Sequence, residues 1–502
     1  MNRQRLITSI KYGNTSILIF LAIYFFIVPG IIVIYNLMDP KIKDKGITGA
    51  AVRLHHALAP KYDQWARKRI ASGKAANMST GNISGTEWPL FGSVFYLWAI
   101  ESLQEEWEKD NSLLEIQPKE YARNAIESAT QLVIDPNHAS WVKKHWGEYY
   151  LNRENVFYRM LIIAAVTVYT ELTADEQYID LLRNQVESLS KEIDDSPYGQ
   201  LNDYPGECYP CNILSAVASI YRADSVLGSD HSMFVKRAIR SFQGKHLDEI
   251  GLPPYRTYAS GENSIGIARG CSNSFICLFA PEIWPNKAKE WYALYEKFFW
   301  QLKWSGAGFR EFARYMPGYE WYMDVDSGPV LAGHGIAASA FGVGAARVNG
   351  RFDHAFPLTA ELSATCWPLA DGTLLGPRIL SNAADSPYLG EAAILFCLTR
   401  QPAGTVSITK GGSIPIFVYI LLTCYLGIGA SIIYFKIRNI KTWKYKPKHI
   451  HTYAGTKFII WLFLIINGAT VSIFFYLPVG IAMLICAQII PKESKYSSKR
   501  FK

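Results

Sequence analysis

The sequence contains no Gly-rich phosphate loop, no serine nucleophile elbow and no His-Glu-x-x-His pair. Those absences remove the usual carriers of phosphoryl transfer, α/β-hydrolase chemistry and zincin hydrolysis. Strand–helix–strand patterning is missing as well, so a thioredoxin-type role for Cys208-Tyr209-Pro210-Cys211 has no scaffold. Acid is nearly absent from the ends. Before Asn14 the only charges are Arg3, Arg5 and Lys11, and after Gly411 there are twelve Lys or Arg against one Glu. The chain's net charge is +8, so the stretch between carries −6. The basic balance belongs to the tails, and no nucleic-acid surface is expected.

Apolar sequence is abundant: 49% of residues are hydrophobic and 14% aromatic. Thr15 to Met38 is an uncharged run long enough to span a bilayer, which takes roughly 20 residues. It exceeds a signal-peptide core and no small-x-small cleavage site follows, so an uncleaved anchor is expected at 15–38 behind a cytoplasmic N-terminus, 1–14. A second span is expected at 414–435. Residues 436–457 form a loop with seven Lys or Arg and no acid, which the positive-inside rule assigns to the cytoplasm. Residues 458–490 read as a transmembrane hairpin or one long helix, ahead of a basic tail, 491–502. The expectation is a multi-pass protein of the plasma (inner) membrane, embedded in the lipid bilayer, with residues 46–403 outside the cytoplasm. That compartment permits disulfides among Cys208, Cys211, Cys271, Cys277, Cys366 and Cys397.

Residues 46–403 read as nearly all helix. Six amphipathic segments alternate with six that are apolar nearly all round. The apolar helices are expected to begin near Glu87, Glu154, Glu207, Arg269, Asp326 and Pro387, a recurrence of about 60 residues. Six helical hairpins that each bury one helix suggest an all-α (α/α)6 toroid flanked by transmembrane helices, with an open helical solenoid as the alternative. In a toroid the six inner N-termini meet at one mouth, where free N–H groups and partial positive charge suit a polar ligand.

The residues at these starts are the candidate site. Capping alone accounts for Ser, Thr, Asp or Asn. It does not account for Glu87 and Trp88, for Cys208, or for Arg269-Gly270-Cys271. Cys208 and Cys211 share a helix start, where thiol pKa values fall, so a catalytic thiol, a disulfide and half of a metal site all stay open. Cys271 and Cys277 lack knuckle spacing, and no metal or cofactor is expected. Gly308 to Gly335 reads as a loop rich in Tyr, Trp and acids that leads into a helix. Within it Asp324 and Asp326 read as caps and Glu311 as a candidate general acid, while His334 falls two turns into the helix. Paired carboxylates such as Glu87 with Glu311 or Asp326 also suit glycoside hydrolysis, with Trp88, Tyr319 and Trp321 as sugar platforms.

YPGECYPCN, ARGCSNSFICLFAPEIWP, GFREF, DVDSGPVLAGHGIAASAFGVGAAR and SPYLGEAAILFCLT together resemble the linalool dehydratase/isomerase-like domain family, in its membrane-bound branch. The resemblance spans about residues 50 to 403. It implies an (α/α)6 barrel and cofactor-free acid–base or thiol-assisted loss or migration of a hydroxyl on an allylic alcohol, outside the cytoplasm. Cys208, Pro210 and Asn212 match the family's cysteine, proline and asparagine. Cys211 falls closer than the family spacing, and Tyr209 stands where an acid is expected. The expected catalytic set is Cys208, Glu87, Glu311 and Asp326. Trp88, Tyr204, Cys211, Asn212, Arg269, Asn273, Asp324 and His334 are expected to contact a small-molecule alcohol. A glycan hydrolase or lyase and a non-catalytic envelope-ligand scaffold are the alternatives. Oligomeric state stays open.

Overall fold

The computed structural model describes residues 3–260, 266–303, 306–404, 406–442, 454–470, 472 and 477–489. Half of the basic loop expected at 436–457 (443–453) and the whole tail at 491–502 lie outside the described residues. Helix dominates. α1 (Arg3–Ala22) runs through a π turn (Ile23–Ile27) into α2 (Val28–Leu37). Then come α3 (Gly49–Ala71), α4 (Ile83–Lys109), α5 (Pro118–Tyr121), α6 (Arg123–Ile134), α7 (Ser140–Trp146), α8 (Val156–Thr173) and α9 (Ile179–Asp195). They are followed by α10 (Pro210–Leu227), α11 (Ser232–Ala238), α12 (Gly270–Ile283) and α13 (Pro285–Phe299).

Five short strands interrupt the helices: β1 (Trp300–Lys303), β2 (Gly306–Phe309), β3 (Trp321–Asp324), β4 (Gly328–Leu331) and β5 (His334–Gly335). All neighbours are antiparallel, β1 with β2, and β3 with β4 with β5. The chain continues through α14 (Ile336–Val348), α15 (Phe352–Thr365), α16 (Leu375–Ala383), α17 (Leu389–Thr399), α18 (Ile416–Thr442), α19 (Ala454–Thr470) and α20 (Leu477–Ile489), the last two packed together.

The apolar helices pack in a cycle. α4 lies against α8, α8 against α10, α10 against α12, α12 against α14, α14 against α17, and α17 returns to α4. Phe95, Trp98, Phe275, Phe279, Phe341 and Phe396 meet inside it, with Phe95 and Phe396 stacked at 5.3 Å. The amphipathic helices lie outside. In α9 the buried residues Leu182, Gln185, Val186, Leu189 and Ile193 recur at helical spacing, which forms the stripe that faces α8. The buried Arg159 of α8 reaches across to Gln185 and Glu192, at 2.9 and 2.8 Å.

Three described helices are long and apolar enough to cross a membrane: Tyr12–Leu37, Val156–Thr173 and Ile416–Arg438. The second is 89% buried, so its apolarity serves the domain core. The other two are only 22% and 17% buried.

The 308–335 segment differs from the sequence expectation. It forms strands, and the helix expected to begin near Asp326 begins at Ile336. Gly328 and Gly333 take positive φ, as does Ala332 at 52°, and those left-handed residues stop a helix from propagating. Asp326 therefore sits in the β3–β4 turn, and His334 lies on β5 instead of two turns into a helix.

Candidate functional site

The loop ahead of α12 and the β3–β4 hairpin line a cavity of about 620 Å3. Tyr255, Arg256, Arg269, Tyr322, Asp324 and Asp326 are among the lining residues. A second cavity of about 550 Å3 lies between α2, α3 and α15, and Asp371 is its one acid. The acid chemistry is at the first.

Glu87 lies in the second turn of α4, whose start is capped by Asn82 accepting from Gly85 N at 3.2 Å. Burial raises its pKa to about 7, against a hydrogen bond from Tyr204 and helped by the charge of Asp326. Asp203 is fully buried ahead of α10. It accepts from Tyr209 N at 2.8 Å and Asn212 Nδ2 at 3.2 Å, and burial lifts its pKa to about 8, with Glu87 adding to the rise. Asp326 stands at the exposed rim, bonded by the Tyr255 hydroxyl, and crowding by protein raises it too. Each of these three carboxyl groups is near enough to another for charge to matter, and they come from three separate elements. That arrangement raises all three pKa values, and Glu87 and Asp203 reach the neutral range.

Glu311 behaves differently. One oxygen accepts from Arg269 Nε at 2.7 Å and Cys271 Sγ at 3.0 Å, and the other accepts from Cys271 N at 3.0 Å. It is fully buried, and burial raises its pKa against the pull of Arg269. Glu311 thus caps α12 from a distant loop. The approach is close: a Cβ on Gly270 would lie 1.9 Å from the Arg310 carbonyl oxygen, so only glycine fits. Arg269 also pairs with Asp324 at 2.7 Å and lies over the Tyr255 ring at 4.3 Å. Burial pushes the Asp324 pKa up, but the Ser327 N–H and hydroxyl, with Arg269, hold it below the usual value.

The cysteines carry no thiolate signal. All eight are free. Cys208 precedes α10 in place of heading it, is fully buried, and gives its thiol hydrogen to Gln200 Oε1 at 3.1 Å. Burial pushes the Cys208, Cys211 and Cys271 thiols up, opposite to the depression expected from a helix start. Asn212 orients Asp203. Asn273 is buried and donates to the Pro253 and Arg269 carbonyls at 3.0 and 3.1 Å, so it braces the loop ahead of α12. Trp88 is half-buried beside Glu87. His334 is half-buried under β2, and burial with Lys303 and Arg310 keeps it neutral, its pKa near 4. Tyr319 stacks on Phe312 at 4.1 Å, and Trp321 projects into the surroundings at 73% exposure.

Sequence reasoning missed Asp203, Tyr255 and Gln200. Asp203 had a signal: an acid opening the Asp-Tyr-Pro-Gly turn just before a helix start. Tyr255 and Gln200 had none, because their partners lie on other segments. Among the described residues no group of three or more His, Cys, Asp or Glu is arranged to hold a metal. A scan against protein-family models finds no match to this chain, and neither does a search of curated proteins.

Proposed function

We propose that the chain is a membrane-anchored enzyme that removes or relocates the hydroxyl of an alcohol by carboxylic-acid catalysis, a lyase or isomerase like the family it resembles. The observation that carries this reading is Glu87, a buried carboxyl group with a pKa near 7, close enough to feel the charge of Asp326, which lines the cavity. An acid with that pKa is half protonated at neutral pH, the best compromise between availability and donor strength. Glu87 donates its proton to the substrate oxygen, the C–O bond breaks, and water leaves. Asp326 or the resulting Glu87 carboxylate then takes a proton from the neighbouring carbon, giving the alkene. Return of water to the far allylic carbon gives the isomer instead. The faces of Tyr204, Tyr209 and Tyr255 offer negative potential to the transient cation. Cys208 supports the loop behind Asp203 in this scheme and takes no part in the chemistry. The glycan alternative ranks lower, because Phe312 already covers one face of Tyr319.

The six-helix cycle with helices outside it supports an (α/α)6 toroid. On the charge pattern, the chain is a multi-pass plasma-membrane protein with this domain outside the cytoplasm.

The test uses the full chain in lipid nanodiscs, supplied with allylic terpene alcohols and followed by gas chromatography. Glu87→Gln is expected to lower turnover by at least about 100-fold, while Cys208→Ser stays within a few-fold of the parent. Full turnover by Glu87→Gln would overturn the assignment.

A further inference from the structure

The direction in which the candidate spans leave the domain fixes where the bilayer lies. α15 is the reference. Near its start, Asp353 N donates to Thr409 O at 3.1 Å, just ahead of α18. Further along, Ala360 and Ala364 pack with Val418 and Val33, and Tyr425 of α18 donates to Ala364 O at 2.7 Å. α18 therefore climbs in step with α15 and continues to Thr442, beyond the end of α15 at Thr365. The first span runs the other way: Lys43 lies over Phe356, Val33 meets Ala360, and Phe25 O accepts from Trp367 Nε1 at 2.7 Å. Its residues before Phe25 also extend past that end of α15.

That end belongs to the mouth. Gly376 N donates to Cys366 O at 3.1 Å, and Arg378 of α16 pairs at 2.6 Å with Glu391 in the first turn of α17. Glu361 of α15 accepts from Ala307 N at 2.8 Å, and the strand from Ala307 leads to Glu311 at the start of α12. Both spans thus leave on the side where the acids converge. On that side the β3–β4 hairpin holds up an apolar face. Trp321 and Leu331 are paired across it, Met323 faces Pro329, and the exposures of Trp321, Met323, Val325 and Leu331 are 73%, 75%, 45% and 47%. Exposed apolar clusters of this size mark a contact surface. An indole beside aliphatic groups suits the boundary between lipid headgroups and acyl chains.

We propose that the mouth opens onto the bilayer and that the β3–β4 hairpin dips Trp321, Met323 and Leu331 into its surface, so that the substrate is an alcohol with a hydrocarbon tail dissolved in the membrane. The substrate class rests on the function proposed above; the docking of the hairpin rests only on the helices crossing the membrane.

A cysteine-reactive environment-sensitive fluorophore at Met323→Cys tests this in the full chain carrying Cys424→Ala, reconstituted in phosphatidylcholine–phosphatidylglycerol vesicles. An unsubstituted Cys424→Ala sample subtracts background from the remaining cysteines. Met233→Cys, exposed on α11 at the opposite end, is the aqueous control. The expected result is several-fold brighter emission at Met323→Cys, quenched by spin-labelled lipid, with Met233→Cys unaffected by lipid. An aqueous probe at position 323, or a lipid-quenched probe at 233, overturns the proposal. No turnover is measured, so inactivity toward every alcohol would count against the function and leave the docking result standing.

Discussion

Glu87 is held between two demands. Its place beneath Tyr204 removes it from water, and its nearness to Asp326 penalises a second negative charge. The sign of the resulting pH effect is fixed. The folded pKa, about 7, lies above the ordinary 4.5, so the protonated group favours the fold. That contribution is complete below about pH 4.5 and is lost as pH rises through about 7. Glu87→Gln cannot ionise and escapes the loss. The variant is expected to gain stability over the parent above about pH 8, by roughly 3 kcal/mol at most, and to differ little at pH 4.5; thermal melts at the two pH values measure it. In the parent, kcat/KM is expected to fall as pH rises past about 7, where the proton donor is lost. Glu87 and Arg269 were legible in the sequence because neither residue type is an ordinary helix cap. Glu311 was legible as unusual, but its work is to hold Arg269 and the start of α12.

At the scale of elements, the 60-residue rhythm of the helices was legible because burial on all sides leaves a helix without a polar face, and α4, α8, α10, α12, α14 and α17 follow it. The exception is instructive. Ser327 to Gly335 is apolar enough to be taken for the first turns of α14, yet Pro329 and three residues with positive φ turn it into β4 and β5. Side-chain bonds then fix the hairpin: Asp324 Oδ1 accepts from Ser327 N at 2.7 Å and from its hydroxyl at 2.8 Å, while Oδ2 accepts from the Tyr322 hydroxyl at 3.0 Å. Asp324→Ala removes all three and releases Arg269. It is expected to loosen the hairpin by about 1–3 kcal/mol, seen as faster proteolysis between Trp321 and Leu331. Unchanged proteolysis would mean that strand pairing alone holds it.

At the scale of the whole molecule, the domain is joined to its candidate spans by a bond that begins with a proline. Pro29 has no N–H to offer the Phe25 carbonyl four residues before it. The helix answers with the π turn Ile23–Ile27, and the Trp367 indole donates to that carbonyl at 2.7 Å. In a medium without water such a carbonyl needs a donor. Trp367 also packs edge-on against Phe26 and Tyr425, at 5.5 and 4.9 Å. Trp367→Phe keeps a ring and loses the donor. It is expected to cost about 1–3 kcal/mol, read as a lower melting temperature in detergent, with the catalytic rate per folded molecule retained.

Taken alone, the sequence determined the helical class, the apolar ends, the charge asymmetry and the cluster of unusual residues at helix starts. These are properties of short segments: periodicity, length and local composition act within a few turns of chain. Only the tertiary structure decided which carboxyl groups have raised pKa values, because a carboxyl pKa depends on burial and on charges brought from other elements. Asp203 is raised by its burial ahead of α10, with Glu87 adding to the rise, and Glu311 lost its freedom only through Arg269 and Cys271. The side on which the mouth opens follows from how α15 lies against two distant helices, and no local pattern encodes that.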